Sequence, residues 1–517
     1  MSEHFPADPM EDTAFFGHPR GLSTLFFTEL WERFSYYGMR AILILFMVAP
    51  IATGGLGYDV GKAGAVYGTY VALVYLLALP GGWFADRLVG LRRAVFYGGI
   101  IIMMGHISLA IPSEATFYLG LLFIVVGTGL LKPNVSAMVG TLYHQGDVRR
   151  DSGFSIYYMG INIGALLSPF VVGGLAQHPA FRRFLGSMGL APEYSWHFGF
   201  AMAAIGMMFG LVWYVRGGKY LGDHGLHPAP AKSPEAAIRL KRNTIMGVSA
   251  VLGGIALLAI LGSVGVLTIT PQGVAQVVGV SILFIVVIFF LWLFLAGDWT
   301  REERKRLWVI LVLFVASAVF WSAFEQAGSS LNLFAENDTR AAFPASWFQS
   351  ANALFIILLA PVFAWLWVRL GKRDPSTPAK FSFGLILVGL GFAVMMVAAT
   401  LSASGVQVSP MWLIATYFLH TLGELTLSPV GLSAMTKLAP QRVVGLMMGV
   451  WFMSTSAGNF IAGAIVGLYS SFSVAQVFGA VAAFAMGAGV ILALFVKPIK
   501  RLLLTPKESD EGPATVL

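Results

Sequence analysis

The chain has 517 residues, 57% hydrophobic and only 11% charged, with a formal net charge of +8 and no cysteine. Soluble domains carry about 25% charged residues, so this composition excludes a soluble globular protein and indicates a polytopic membrane protein. The lack of cysteine excludes disulfides, thiol catalysis and thiolate metal sites.

A helix needs about 20 residues to cross ~30 Å of hydrocarbon. The apolar runs predict fourteen spans: 22–48, 63–86, 93–112, 115–137, 154–176, 196–215, 245–269, 274–296, 305–331, 345–370, 381–402, 410–434, 443–468 and 473–497. Alternate loops that include both termini hold 26 of the 33 Lys and Arg. The opposite loops hold four (Lys62, Arg182, Arg183, Arg340), and three lie within spans (Arg33, Arg40, Lys132). By the positive-inside rule both termini are cytoplasmic. The same bias accounts for the net charge without nucleic acid. The expected organisation is an N-terminal tail (1–21), a six-helix bundle (22–215), a linker with two inserted spans (216–304), a second six-helix bundle (305–497) and a C-terminal tail (498–517). The inserted spans contain no Asp, Glu, Lys or Arg and are expected to pack on the outside.

The first span carries Glu29, Glu32, Arg33 and Arg40. A charge at the bilayer centre costs at least ~2.5–3.5 kcal/mol. With Tyr36, these residues fall at i, i+3, i+4, i+7 and i+11, a single helical stripe, which is expected to line a wet cavity. The loop Gly81-Gly82-Trp83-Phe84-Ala85-Asp86-Arg87-Leu88-Val89-Gly90-Leu91-Arg92-Arg93 follows span two. It resembles the loop signature of the major facilitator superfamily. Lys132 lies beside Pro133 near the cytoplasmic end of its span; it either snorkels to the interface or meets the acids of span one. Asn162 is a helix–helix hydrogen-bonding residue or a ligand.

Glu325 and Glu424 lie deep in their spans, where a carboxylate is a functional candidate by default. The alternative for each is a static ion pair. His106 is read as a packed or interfacial histidine, and His420, one turn before Glu424, as packing or as a group that tunes that carboxylate. Trp321, Trp451 and Phe452 are candidate pocket walls. No zinc-ligand cluster, phosphate-binding Gly-Lys-Ser/Thr loop or Ser-His-Asp pattern is visible, so the chain is not read as an enzyme and no cofactor is expected beyond protons. Within the membrane the first half sums to +1 and the second to −2. One added proton neutralises the set. A zwitterion would lie with its carboxylate toward the first half and its amine toward the second.

Glu29-x-x-Glu32-Arg33-Phe34-x-Tyr36-Tyr37-Gly38 resembles the ExxERFxYYG signature of the proton-dependent oligopeptide transporter (POT/PTR) family, bacterial type. The 82–93 loop, the Phe154–Leu166 segment and Gly423-Glu424-Leu425 match the family's patterns in order. The resemblance implies an all-α major facilitator fold in a bacterial inner membrane. It implies uptake of di- and tripeptides with protons by alternating access, in a monomer whose other partners are lipids. It implies proton coupling through Glu29, Glu32, Arg33, Lys132 and Glu325, the last in a gating ion pair with Arg40 or Lys132. It implies peptide contacts from Arg40, Tyr36, Tyr37, Tyr75, Lys132, Asn162, Trp321, Asn352, Glu424, Ser428, Trp451 and Phe452. Gly68 stands where animal members carry a histidine, so coupling must rest on carboxylates. The rival readings are a proton-coupled transporter of another zwitterion, anion or drug, a channel, and a membrane enzyme.

Overall fold

In lipid a helix satisfies every backbone polar group within its own segment, and the described residues hold no named strand. The computed structural model describes residues 12–144, 146–230, 233–295, 297–440, 443 and 446–503. The expected tail ends 1–11 and 504–517, and the loop cations Lys232, Arg442 and Lys507, lie outside the described residues. The helices are α1 Arg20–Val48, α2 Val60–Leu76, α3 Ala78–Phe84, α4 Leu91–Leu109, α5 Glu114–Thr141, α6 Arg150–Gln177, α7 Pro179–Ser187 and α8 Ser195–Gly217. They continue with α9 Pro234–Ser263, α10 Pro271–Leu295, α11 Arg301–Phe324, α12 Ser330–Asn337, α13 Ser350–Leu370, α14 Thr377–Ser402, α15 Met411–Leu438, α16 Met447–Gly467 and α17 Val474–Leu503.

Helix occupies each of the fourteen predicted segments, and eleven of these helical segments are long and apolar enough to cross a membrane. The other three, α1, α4 and α15, are 29, 19 and 28 residues long. Each is made more polar by the residues singled out above: the α1 charges, Arg92, Arg93 and His106 in α4, and His420 and Glu424 in α15. Two features were not foreseen. The short α7 caps the loop between α6 and α8. The ninth span breaks after Phe324 into a 3₁₀ turn, Glu325–Gly328, before α12.

The helices up to α8 pack on one another, chiefly α1 on α6 and α8, and α4 on α5 and α8. Those from α11 onward do the same, chiefly α14 on α15 and α17, and α11 on α16. The two groups meet where α2 lies on α16 and α6 lies on α13. A Cβ on Gly68 would sit 2.7 Å from the Gly463 Cα. The backbones of α2 and α16 touch there, and no side chain fits. The inserted pair is peripheral. No residue of α9 is buried, and α10 leans on α2 and α16. Helix α9 starts at Pro234, earlier than the expected 245, because Ser233 caps it by accepting from the Ala236 N–H. The polar end of the linker is therefore helical.

On the face holding the start of α1, a short segment clasps the α5–α6 loop. Arg149 donates to the carbonyls of Asp12 and Gly17 and pairs with Asp147 at 3.0 Å. His18, 5% exposed, lies 3.0 Å (Nδ1) from the Tyr143 hydroxyl and 3.3 Å (Nε2) from the Ser152 hydroxyl. Burial, then the Arg149 charge, holds the His18 imidazole below its ordinary value, against a smaller opposing effect of Asp147. The docked histidine binds a proton less well than a free one, so docking is fully stabilised above the ordinary imidazole value of about 6.5 and weakens as pH falls through the lowered docked value. Amide exchange of residues 12–19 is expected to quicken between neutral and acidic pH in the wild type and to lose that dependence in His18→Asn. Unchanged pH dependence in the variant would remove His18 from the clasp.

Candidate functional site

Helix α1 delivers the charged stripe inward. All of Glu29, Glu32, Arg33 and Arg40 are buried. The Arg33 Nε–H donates to Glu29 Oε1 at 2.7 Å, and the same nitrogen lies 2.9 Å from Glu32 Oε2. One cation thus faces two carboxylates, but its N–H points at Glu29. Neither Glu32 oxygen has a hydrogen-bond donor among the described residues. Two turns on, Arg40 Nε donates to the Tyr67 hydroxyl at 2.7 Å, and its Nη2 lies 2.5 Å from Glu325 Oε2. Of the two cations offered above as partner for Glu325, the structure has Arg40.

The break after α11 explains how Glu325 reaches α1. Gln326 braces it, donating to the Ser322 carbonyl at 3.1 Å and accepting from the Ser330 hydroxyl at 2.6 Å. Gly328 then passes so close to α1 and α2 that a Cβ would strike the Tyr67 hydroxyl and approach Arg40 Nε. Only glycine leaves the Arg40–Tyr67 bond intact.

Lys132 is half-buried, with Nζ 3.7 Å above the Tyr75 ring. That is close enough for a cation–π contact, and it directs the ammonium toward α2 rather than toward lipid. No carboxylate lies within salt-bridge distance of it among the described residues. Arg33 occupies the span-one acids instead. Across the interior, Asn352 of α13 donates to Glu424 Oε2 and to the Thr421 hydroxyl, both at 3.0 Å. Asn162 donates to the Tyr158 carbonyl of its own helix at 2.9 Å. Tyr36 and Tyr37 pack edge to face at 5.3 Å, with the Arg33 and Arg40 guanidinium groups 5.9 and 6.0 Å from the respective rings. Trp321 and Trp451 stand 6.5 Å apart, and Phe452 and Ser428 are half-buried on α16 and α15. His420 and His106 are buried with no hydrogen-bond partner among the described residues. His420 lies against Phe392 and Phe324, a packing role as expected.

Sequence reading missed Tyr67, Thr421, Gln326 and Gly328. Tyr67 alone had a signal, because it shares α2 with Tyr70 and Tyr75. The others are set by the break and by packing across the two halves.

Arg33 facing two acids (−1), Arg40 with Glu325 (0), Lys132 (+1) and Glu424 (−1) still sum to −1. A helical, multi-pass membrane protein whose two helix groups are joined by the buried Arg40–Glu325 ion pair fits a transporter of the major facilitator class. Residues 92–484 match the family model described as the POT family. Peptide transporter YePEPT of Yersinia enterocolitica is 42% identical over 95% of this chain and 96% of its own. A di-/tripeptide transporter of Lactococcus lactis is 37% identical over 95% and 98%. A crystal structure of a peptide transporter, POT, in complex with sulfate superposes with a TM-score of 0.86 at 45% identity, covering 96% of this chain and 99% of that one. A POT family transporter in complex with 5-aminolevulinic acid gives 0.86 at 36%, covering 95% and 99%. The chain belongs to the POT family.

Proposed function

We propose that this protein is a proton-coupled symporter that imports di- and tripeptides. The observation that carries this reading is the Arg40–Glu325 pair joining the two helix groups. A peptide carboxylate can take the place of Glu325 on Arg40, and that exchange links substrate binding to the contact between the halves. Glu424, held by Asn352, stands opposite to receive the peptide amine, with Asn162 for the backbone. Tyr36, Tyr37, Tyr75, Trp321, Ser428, Trp451 and Phe452 shape the side-chain pockets. The proton enters on Glu32, whose oxygens lack donors, with Glu29 and Arg33 setting its charge balance and Lys132 as the neighbouring cation.

The bundles 22–215 and 305–497 move against each other around this midplane site, carrying the 216–304 insertion, and cross the membrane fourteen times with both termini cytoplasmic. The site of action is a bacterial inner membrane. The working unit is a monomer among lipids, with protons as the coupling ion and no other cofactor, catalytic reaction or nucleic-acid partner. Related names such as YePEPT support the peptide assignment. The relative crystallised with 5-aminolevulinic acid, itself a small zwitterion, keeps other zwitterionic solutes as the second reading. Uptake of a labelled dipeptide into proteoliposomes driven by an inward proton gradient tests this. Accumulation competed by di- and tripeptides but not by free amino acids is expected. Gradient-independent uptake, or competition by unrelated solutes alone, would overturn it.

A further inference from the structure

The ion pair is not the only tie at that end of the molecule. The end carrying loops 49–59, 178–194 and 338–344 is also joined by neutral bonds. Asn332 of α12 donates its Nδ2–H to the Ala41 carbonyl of α1 at 2.8 Å. Gln349, at the end of the 3₁₀ turn Ala345–Gln349, donates to the same carbonyl at 3.4 Å. Ala41 directly follows Arg40. Two successive α1 residues therefore hold the break and the segment beyond it, Arg40 by charge at Glu325 and Ala41 by amides at Asn332 and Gln349. Asn332 is 1% exposed, and its Oδ1 is buried with no donor among the described residues. Its place is fixed by one good bond and disfavoured by an orphaned acceptor. Such a contact closes reversibly.

We propose that Asn332 and Gln349 are a second, charge-independent latch on α1 that positions the broken ninth span and keeps this end shut while Glu325 leaves Arg40. An amide neither takes up a transported proton nor competes with a peptide carboxylate, so the latch survives the exchange that the transport cycle requires. Its release is a separate step, driven by tilting of α12 rather than by titration. The division fits the bracing of the break by Gln326: a rigid α12 withdraws the Asn332 donor, and the Gln349 donor leaves with the following 3₁₀ turn. The role within a cycle rests on the transport reading above; the latch itself does not.

The native chain has no cysteine, so introduced labels are unique. Ile51 and Val406 are 76% and 65% exposed and sit on this end in opposite halves. Spin labels at Ile51→Cys and Val406→Cys, read by pulsed electron resonance in proteoliposomes without peptide, report the opening. Asn332→Leu and Gln349→Leu are each expected to lower the closed-to-open ratio about fivefold, the effect of one net hydrogen bond. The pH midpoint of the distance change should stay at the wild-type value. In Glu325→Gln the end should remain largely closed, and adding Asn332→Leu should open it. Wild-type distance distributions in both single variants would overturn the latch. Because Asn332 is in the core, Gln349→Leu, at a half-buried site, decides if Asn332→Leu does not fold. Distances are measured without substrate, so a wild type that fails to transport peptide would defeat the transport reading and leave this result standing.

Discussion

Glu32→Gln is expected to abolish proton-driven accumulation of dipeptide while leaving counterflow exchange of labelled for unlabelled peptide within about threefold of wild type, as for loss of a contact worth less than ~1 kcal/mol to binding. The physical reason is the asymmetry around Arg33. Glu29 receives the guanidinium N–H, whereas Glu32 has the charge nearby but no donor on either oxygen. A carboxylate that is buried, close to a cation and short of hydrogen bonds is poised to exchange a proton. If Glu32 carries the coupling proton as proposed, a glutamine there mimics the protonated state permanently, so the carrier loads and unloads peptide but never needs to release a proton. Glu29→Gln, by comparison, removes the hydrogen-bonded partner of Arg33 and should lower expression or stability along with uptake. Gradient-driven accumulation by Glu32→Gln at the wild-type level would move the proton to another carboxylate, and Glu325 is the next to test.

Much of this was legible before the structure. The α1 stripe is a matter of helical spacing and the energetic cost of burying charge, both local. The peripheral placement of α9 and α10 followed from the lack of any charge in the predicted spans 245–269 and 274–296, because a helical stretch apolar all round has no reason to face a wet interior. The start of α9 was misjudged because charged residues count against a membrane span but not against a helix. The partner of Glu325 could not be read. Arg40 and Lys132 are both single cations in the first half, and the choice depends on the break at Glu325–Gly328, where Gly328 makes room for Tyr67 against Arg40. A helical pattern carries no mark of such a break. The Asn332 and Gln349 bonds were invisible for the same reason: they end on a backbone carbonyl, and every residue has one.

The second large effect concerns Arg40 itself. Removing one partner of a buried, hydrogen-bonded charge pair costs about 2–5 kcal/mol. Arg40→Ala is therefore expected to lower Vmax/KM for a dipeptide with a free carboxylate by roughly 30- to 5,000-fold, and to affect a C-terminally amidated dipeptide much less. Glu325→Gln should act in the opposite sense on binding. It removes the carboxylate that competes for Arg40, so peptide affinity should rise about tenfold, a competition of ~1.4 kcal/mol. Gradient-driven uptake should fall nonetheless, because the pair no longer re-forms to reset the cycle. The double variant decides whether the two residues act as one switch. If Glu325 works only through Arg40, adding Glu325→Gln to Arg40→Ala changes affinity little, and the single-variant effects fail to add. Fully additive effects would separate them, leaving the 2.5 Å contact a structural tie rather than the switch that links peptide binding to this end.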